Sequence, residues 1–391
     1  MKSVILVIGQ LPPPVHGTNV MTRRFMEALA VHGYSSALVD KRFSTSTQEV
    51  EKLMPKKILK IPSLFFRLIR AIQIFKPQLC VFFISVGWIT LLIDSMLAFI
   101  LLFRRVPYVL YFHGAGYRNY ERHSNPLFKA IVRRVLQNAS GGIVVGRNLK
   151  SDVNHCIPDD RLFVLPNGIP DIEKDKGFRK KAKENGRLNV LFLSNLVDFK
   201  GPLEFLKMAH AVTEKEKNVH FILAGKPADP AYYESLLHYI RENNLEEYLS
   251  LPGGVYGEEK ENLFQAADIF VLPTFKDTFG MVNVEAMRWS LPVVSSDVGA
   301  ISEIVIDGIS GYIVHPGCIS GFAEKVLTLM KNGNLRVKMG KEGRHRFEEN
   351  YSLEAYNRNV KDALSFFLRR LLAGKISMKR RFGIDSPCAE S

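Results

Sequence analysis

Two apolar runs, SVILVIG near the start and LNVLFLS from Leu188, each lead through a loop into an amphipathic helix, and they constrain the fold more than any other feature. A continuous run of that length without polar alternation is buried on both faces, the habit of a parallel strand covered by helices. The first run is followed by the loop QLPPPVHGTNV, a helix from about Thr18 to His32 with Met21, Phe25, Leu29 and Ala30 apolar, and the strand SSALVD. The second is followed by SNLVDFKG, a helix beginning near Pro202 and the strand HFILAG. Strand, loop, helix and strand, met twice, predict an α/β chain of two Rossmann-like doubly wound domains facing a central cleft, with ligands at the carboxyl ends of the strands. A length of 391 residues suits two cores.

The boundary falls where periodicity lapses. DIEKDKGFRKKAKENGR is charged and has no apolar repeat, and it follows a stiff turn made by Pro166, Asn167, Gly168 and Pro170. The expected division is therefore 1–170, a linker 171–187, a second domain 188–352, an amphipathic helix 353–375 crossing back to the first domain, and a basic tail 376–391.

Charge narrows the partners. The chain carries 53 Lys and Arg against 39 Asp and Glu, a net +14, which favours anionic ligands or surfaces. Nucleic acid is disfavoured, because no helix-turn-helix, zinc spacing or aromatic-basic interleaving accompanies the positive stretches. Cys80, Cys156, Cys318 and Cys388 are scattered with no CxxC pair, as suits a reducing cytoplasm. The opening MKSVILVIGQLPPP reads as a first strand and not a signal peptide, for it lacks a small-residue cleavage site.

One stretch invites a transmembrane reading. CVFFISVGWITLLIDSMLAFILLF is long enough to cross a bilayer, yet Ser85, Gly87 and Asp94 divide it into a strand-like and a helix-like piece, which favours a buried core. Arg67, Arg70, Arg104, Arg105, Lys129, Arg133 and Arg134 flank these apolar pieces and the next helix. They make either an ordinary solvated face or one that rests on an anionic membrane, giving a peripheral place on the cytoplasmic face.

Candidate site residues collect at predicted strand ends. VLPTFKDTFGMVNVEAM is a buried strand, a polar turn with Asp277, a glycine, and a helix whose first turn is expected to present Glu285. Unpaired N–H groups at such a junction can receive a diphosphate beside two carboxylates. Helix and turn preferences alone also favour both acids. Lys200 and Gly201 lie at another strand-to-helix junction, where lysine suits phosphate. His113, ending PYVLYFHG, can donate a hydrogen bond or a proton, and Gly17 permits close backbone approach. Asp40, ending the second strand, would hold a ribose in a dinucleotide fold, but GQLPPPVHG lacks GxGxxG, so NAD is set aside.

With these residues in view, the chain resembles a family 4 glycosyltransferase of the retaining GT-B type. DTFGMVNVEAM is similar to the family's EGFG…LEAM segment. PPPVHGTNV, PNGIP, FKG, AADIFVLPTF and VGAISEIVIDGISGYIV resemble further motifs in the family's order. The resemblance implies a nucleoside-diphosphate sugar donor held by Gly17, Asn195, Lys200, Asp277, Phe279, Gly280, Met281, Val282 and Glu285. It gives His113, Lys200 and Asp277 the catalytic places. Glu285 matches the acid on the ribose hydroxyls, Lys200 the base that neutralises the leaving diphosphate, and Asp277 the acid near the donor sugar. Phe279, Gly280, Met281 and Val282 match backbone N–H groups facing the diphosphate and sugar. It further implies hexosyl transfer with retention, no cofactor and no metal, in accord with the lack of a DxD-like motif. The acceptor is expected to be a saccharide or a lipid-linked or envelope-polysaccharide intermediate.

Three departures stand out. Asp277 replaces a glutamate, Asn195 replaces a phosphate-binding arginine, with Arg147 a candidate substitute, and Thr18 replaces the second glycine of the first loop. They keep open a sugar-nucleotide-binding subunit without turnover, beside the less favoured integral membrane protein.

Overall fold

The structure is a computed structural model that describes residues 4–13, 17–42, 61–172 and 186–381, with side chains described as far as residue 373. Most of the expected linker and the end of the basic tail lie outside these residues. The chain divides into two compact units, Met1–Pro166 with Tyr356–Ser391, and Asn167–Ala355.

The first unit is built on six parallel strands: β1 (Val4–Gly9), β2 (Ser35–Asp40), β3 (Leu79–Ile84), β4 (Tyr108–Phe112), β5 (Gly141–Val144) and β6 (Leu162–Val164). Their order is β2-β1-β3-β4-β5-β6. Every residue of β3, β4 and β5 is buried, as expected of strands covered by helices on both faces. The second unit repeats the plan with β7 (Leu188–Leu193), β8 (Val219–Ala224), β9 (Leu249–Gly253), β10 (Ile269–Leu272), β11 (Val293–Ser296) and β12 (Gly311–Val314). Its order is β12-β11-β10-β7-β8-β9, again parallel throughout. In each sheet the chain first winds one way and then the other, so the loops leaving β1 and β3, and those leaving β7 and β10, diverge. Such switch points are where open α/β sheets bind ligands.

The stretch that invited a membrane span resolves into β3 and the helix Trp88–Phe103. Asp94 is buried in that helix and accepts two hydrogen bonds of 2.7 Å from Lys41 Nζ and one of 2.7 Å from the Ser85 amide. Burial lowers the Lys41 pKa, while Asp94 opposes that shift. No helix among the described residues is long and apolar enough to cross a membrane.

The final helix, Leu353–Arg381, is longer than its apolar pattern suggests. Tyr356, Val360, Leu364 and Phe367 are buried, and Phe163 lies 5.7 Å from Phe366 and 6.5 Å from Phe367, centroid to centroid. Gly141 in β5 makes room, since a Cβ there would come within 2.5 Å of the Phe367 ring. Asn357 accepts from His32 at 2.8 Å through its carbonyl, and Arg370 pairs with Asp160 at 2.8 Å. The glycine-bearing stretch from β11 to β12 is more than a plain turn. A single helical turn, Ile301–Ile304, intervenes before β12, because the Ala300 and Val298 carbonyls accept from Ile304 and Ile301.

Candidate functional site

The second sheet's switch point gathers most of the expected donor residues. After β7 the chain passes Asn195 and makes a short 3-10 turn, Asp198–Lys200, before the helix Pro202–Thr213. Gly201 between them has φ 77°, a left-handed conformation that favours glycine, and a Cβ there would meet the Pro273 carbonyl oxygen at 2.1 Å. This close approach presses the Lys200 loop against the end of β10. The Phe199 carbonyl then accepts from the Phe275 amide at 2.9 Å, the Lys276 amide at 3.2 Å and Thr274 Oγ1 at 3.0 Å. Two loops far apart in sequence are thereby stitched into one rim.

On that rim Lys200 Nζ donates to Asp277 Oδ2 at 2.5 Å, and both side chains are half-buried. The other oxygen, Oδ1, accepts from the Gly280 amide at 2.9 Å and the Phe279 amide at 3.2 Å. Asp277 thus ties the lysine to the start of the helix Met281–Arg288. Two of the four amides expected to face a diphosphate are held by this carboxylate. Met281 and Val282 occupy the first helical positions, whose N–H groups have no intrahelical acceptor. Gly280, at φ 77°, starts the helix, while the Phe279 ring is buried against Tyr351 at 6.1 Å.

Glu285 corrects one expectation. It lies in the second turn, since the helix begins at Met281 and its first turn holds no acid. The helix begins directly after the left-handed Gly280, so Glu285 is its fifth residue, just past the first turn, which weakens the explanation of this acid by the helix dipole. Its carboxylate accepts instead from Lys260 Nζ at 2.6 Å. Lys260 went unnoticed in the sequence because GEEKENLFQ reads as a solvated helical face. The helix Gly257–Ala266 that carries it is also joined to Arg288, through Glu261 at 2.5 and 2.6 Å. Two ion pairs between the same two helices hold Glu285 in a fixed orientation.

Asn195 is exposed, and its carbonyl accepts from the Val197 amide at 2.9 Å. Arg147, the candidate substitute for the missing arginine, is exposed and follows β5 in the first unit. Gly17 begins the helix Gly17–Val31, with open space where a Cβ would stand.

His113 follows β4 in the first unit, its ring stacked on Phe83 at 5.2 Å and tilted against Tyr111 at 4.1 Å. Nε2 is buried with no hydrogen-bond partner among the described residues, and burial pulls the pKa down to about 3. The imidazole is therefore neutral near pH 7. It keeps the ability to donate a hydrogen bond, whereas the role of proton donor is not suited to it. Asp40 is engaged by Arg42, whose Nε donates at 2.6 Å.

Among the described residues, Glu121, His155 and Cys156 are the one group of metal-ligating type, with their ligand atoms within 4.8 Å. Arg133 donates to one Glu121 oxygen and His155 pairs with the other, so that carboxylate is already compensated within the first unit. Asp277 and Glu285 are each paired with a lysine.

Family models match nearly the whole of this framework: one described as Glycosyltransferase Family 4 over residues 15–172, and one described as Glycosyl transferases group 1 over 173–346. The chain belongs to glycosyltransferase family 4. Among curated family members, D-inositol 3-phosphate glycosyltransferase of Corynebacterium glutamicum is 27% identical over 195 residues, 47% of this chain and 46% of that protein. An uncharacterised glycosyltransferase of Methanocaldococcus jannaschii is 32% identical over 250 residues, 64% of this chain and 65% of that protein. The chain spans about half the length of the first curated relatives it matches. Sucrose-phosphate synthase from Thermosynechococcus elongatus has the same fold, with a TM-score of 0.72, 17% identity, and coverage of 95% of this chain and 100% of that one. The GT-B fold class of two parallel α/β units therefore stands on the sheets and on this likeness together.

Proposed function

We propose that this chain is a retaining hexosyltransferase that moves a sugar from a nucleoside-diphosphate sugar to a saccharide or lipid-linked acceptor of the cell envelope, without a metal. The observation that supports this reading best is the Lys200–Asp277 pair at 2.5 Å, set at the second sheet's switch point beside the amino end of the Met281–Arg288 helix. The donor's ribose hydroxyls donate to Glu285, and its diphosphate lies along Lys200 and the Met281 and Val282 amides. Lys200 turns from Asp277 toward the diphosphate as charge builds there. The anomeric carbon–oxygen bond to the diphosphate breaks and a bond to the acceptor oxygen forms on the same face. The acceptor's proton leaves with the diphosphate. Rate enhancement is chiefly electrostatic, because the helix N–H groups are fixed at the helix start and the lysine is held beside them by Asp277, ready to exchange that carboxylate for the leaving diphosphate. For Gly17 and His113 of the first unit, the support is the resemblance alone, which gives them to the diphosphate and the transferred sugar. His113 acts as a neutral hydrogen-bond donor.

A thermal-shift panel of UDP-, GDP- and ADP-sugars is the first test, since selective stabilisation by one donor names the nucleotide. NMR of the product's anomeric carbon then reads the stereochemistry. An inverted product, or activity abolished by chelators, rules out the mechanism. A second reading follows from Asn195, which leaves one positive charge fewer at the diphosphate than the family pattern has. Calorimetry that detects UDP binding, with no turnover of any donor, would identify a binding subunit.

A further inference from the structure

Helices of the first unit turn apolar side chains outward in a pattern that core packing does not explain. On Trp88–Phe103, the outward residues Ile89, Met96, Phe99 and Phe103 recur at intervals of seven, three and four, which places them in one stripe about 21 Å long. Phe103 is 87% exposed. The neighbouring helix, Ile61–Phe75, packs beside it and presents Phe66 (63% exposed) and Ile74 (59%) on the same arc as the exposed Arg67 and Arg70. The exposed Arg104 and Arg105 follow Phe103 directly.

The charge around this face is one-sided. Residues 61–138 contain ten Lys and Arg but only two acids, Asp94 and Glu121, so they carry +8 of the chain's +14. Both acids are buried, at 2% and 4% exposure, and both are paired internally. The whole stretch therefore shows solvent no acidic side chain.

We infer that this face of the first unit docks on the surface of an anionic lipid bilayer, with the apolar stripe entering the headgroup boundary and the arginines on lipid phosphates. Three arguments favour this occupant. The helix has 16 residues, fewer than the roughly 20 needed to span, so its apolar surface suits lying in the interface. Arginines interleaved with aromatic and aliphatic residues match a boundary that is apolar below and anionic above. A second copy of the chain meeting the same face about a two-fold axis would set arginines against arginines. The inference does not rest on the proposed transfer reaction, since binding to vesicles is read without donor or acceptor.

The test is flotation of the full chain with vesicles of phosphatidylcholine alone and of phosphatidylcholine with phosphatidylglycerol. Binding to the second kind, weakened by salt, is expected. Arg67→Ala and Arg70→Ala should each lower partitioning by about fivefold. Ile74→Ser with Phe103→Ser should lower it further while leaving the melting temperature unchanged, because these side chains are exposed. Tyr256→Ser, an exposed aromatic of the second unit, should float as the wild type does. Equal binding to both vesicle types, no binding to either, or an Ile74 and Phe103 variant that floats unchanged would overturn the inference. So would a size-exclusion shift from dimer to monomer in that variant without any change in flotation.

Discussion

At the residue scale, the site's behaviour turns on a lysine held by its neighbouring acid. Lys200 is held by Asp277 at 2.5 Å, and in the proposed reaction it has only to exchange that carboxylate for the departing diphosphate. Lys200→Ala is expected to lower kcat roughly a hundredfold, on the order of 3 kcal/mol. Unchanged far-ultraviolet dichroism would accompany it, since both partners keep access to water. Steady-state kinetics with the donor found by thermal shift checks this, and a kcat near wild type would remove Lys200 from the mechanism. His113 supplies a pH prediction. Its folded pKa of about 3 lies below the unfolded value of roughly 6.5, so above that value neither state carries the proton and stability is level. As pH falls through that window the unfolded chain takes up a proton that the folded chain refuses, and stability declines. His113→Asn should flatten that part of the slope, as read from urea midpoints at about pH 7 and about pH 5.

At the scale of elements, the rim that carries Lys200 and Asp277 depends on two loops meeting at one glycine. Gly201 combines a left-handed backbone with a carbonyl 2.1 Å from where its Cβ would be, so even the smallest side chain must push β10's end away from the Lys200 loop. Gly201→Ala should cost about 2 kcal/mol or more, from the backbone conformation and the overlap together. It should also raise KM for the donor, because Lys200 moves with the loop. A melting temperature and KM both unchanged would mean the loop tolerates displacement. The pairing of FKG with the stretch after LPTF was partly legible, since both were read as strand-end loops with phosphate chemistry. What could not be read was the partner of Glu285. Lys260 sits 25 positions away on a helix whose sequence is mostly charged, and nothing in its spacing distinguishes the inward lysine from its outward neighbours. The turn occupied by Glu285 follows from where the helix starts: with Met281 as its first residue, position 285 lies just past the first four.

At the scale of the whole molecule, the chain leaves its first unit and returns to it. The last helix packs on β5 and β6, with the Phe367 ring over Gly141 and against Phe163. Phe367→Ala should destabilise the first unit by about 3 to 5 kcal/mol, the usual cost of emptying an aromatic site in a core. Calorimetry should report a lowered transition. A loss under about 1 kcal/mol would mean that the helix is dispensable to that core.

The two-fold repetition of apolar strand and amphipathic helix was determined by the sequence alone, because burial on both faces leaves a strand no polar alternation and a helix only one apolar stripe. The family's motifs likewise stood in linear order, and with them the identity of Lys200, Asp277 and Glu285 as residues of interest. Tertiary structure decided how those residues are held: the lysine on Asp277, Glu285 on Lys260, the histidine in a neutral state against two aromatic rings. It also decided which apolar residues of the Trp88–Phe103 helix face outward. Such choices follow from contacts between segments tens of residues apart. Their energies arise only when the sheet brings its strand ends together, and local sequence carries no term for them.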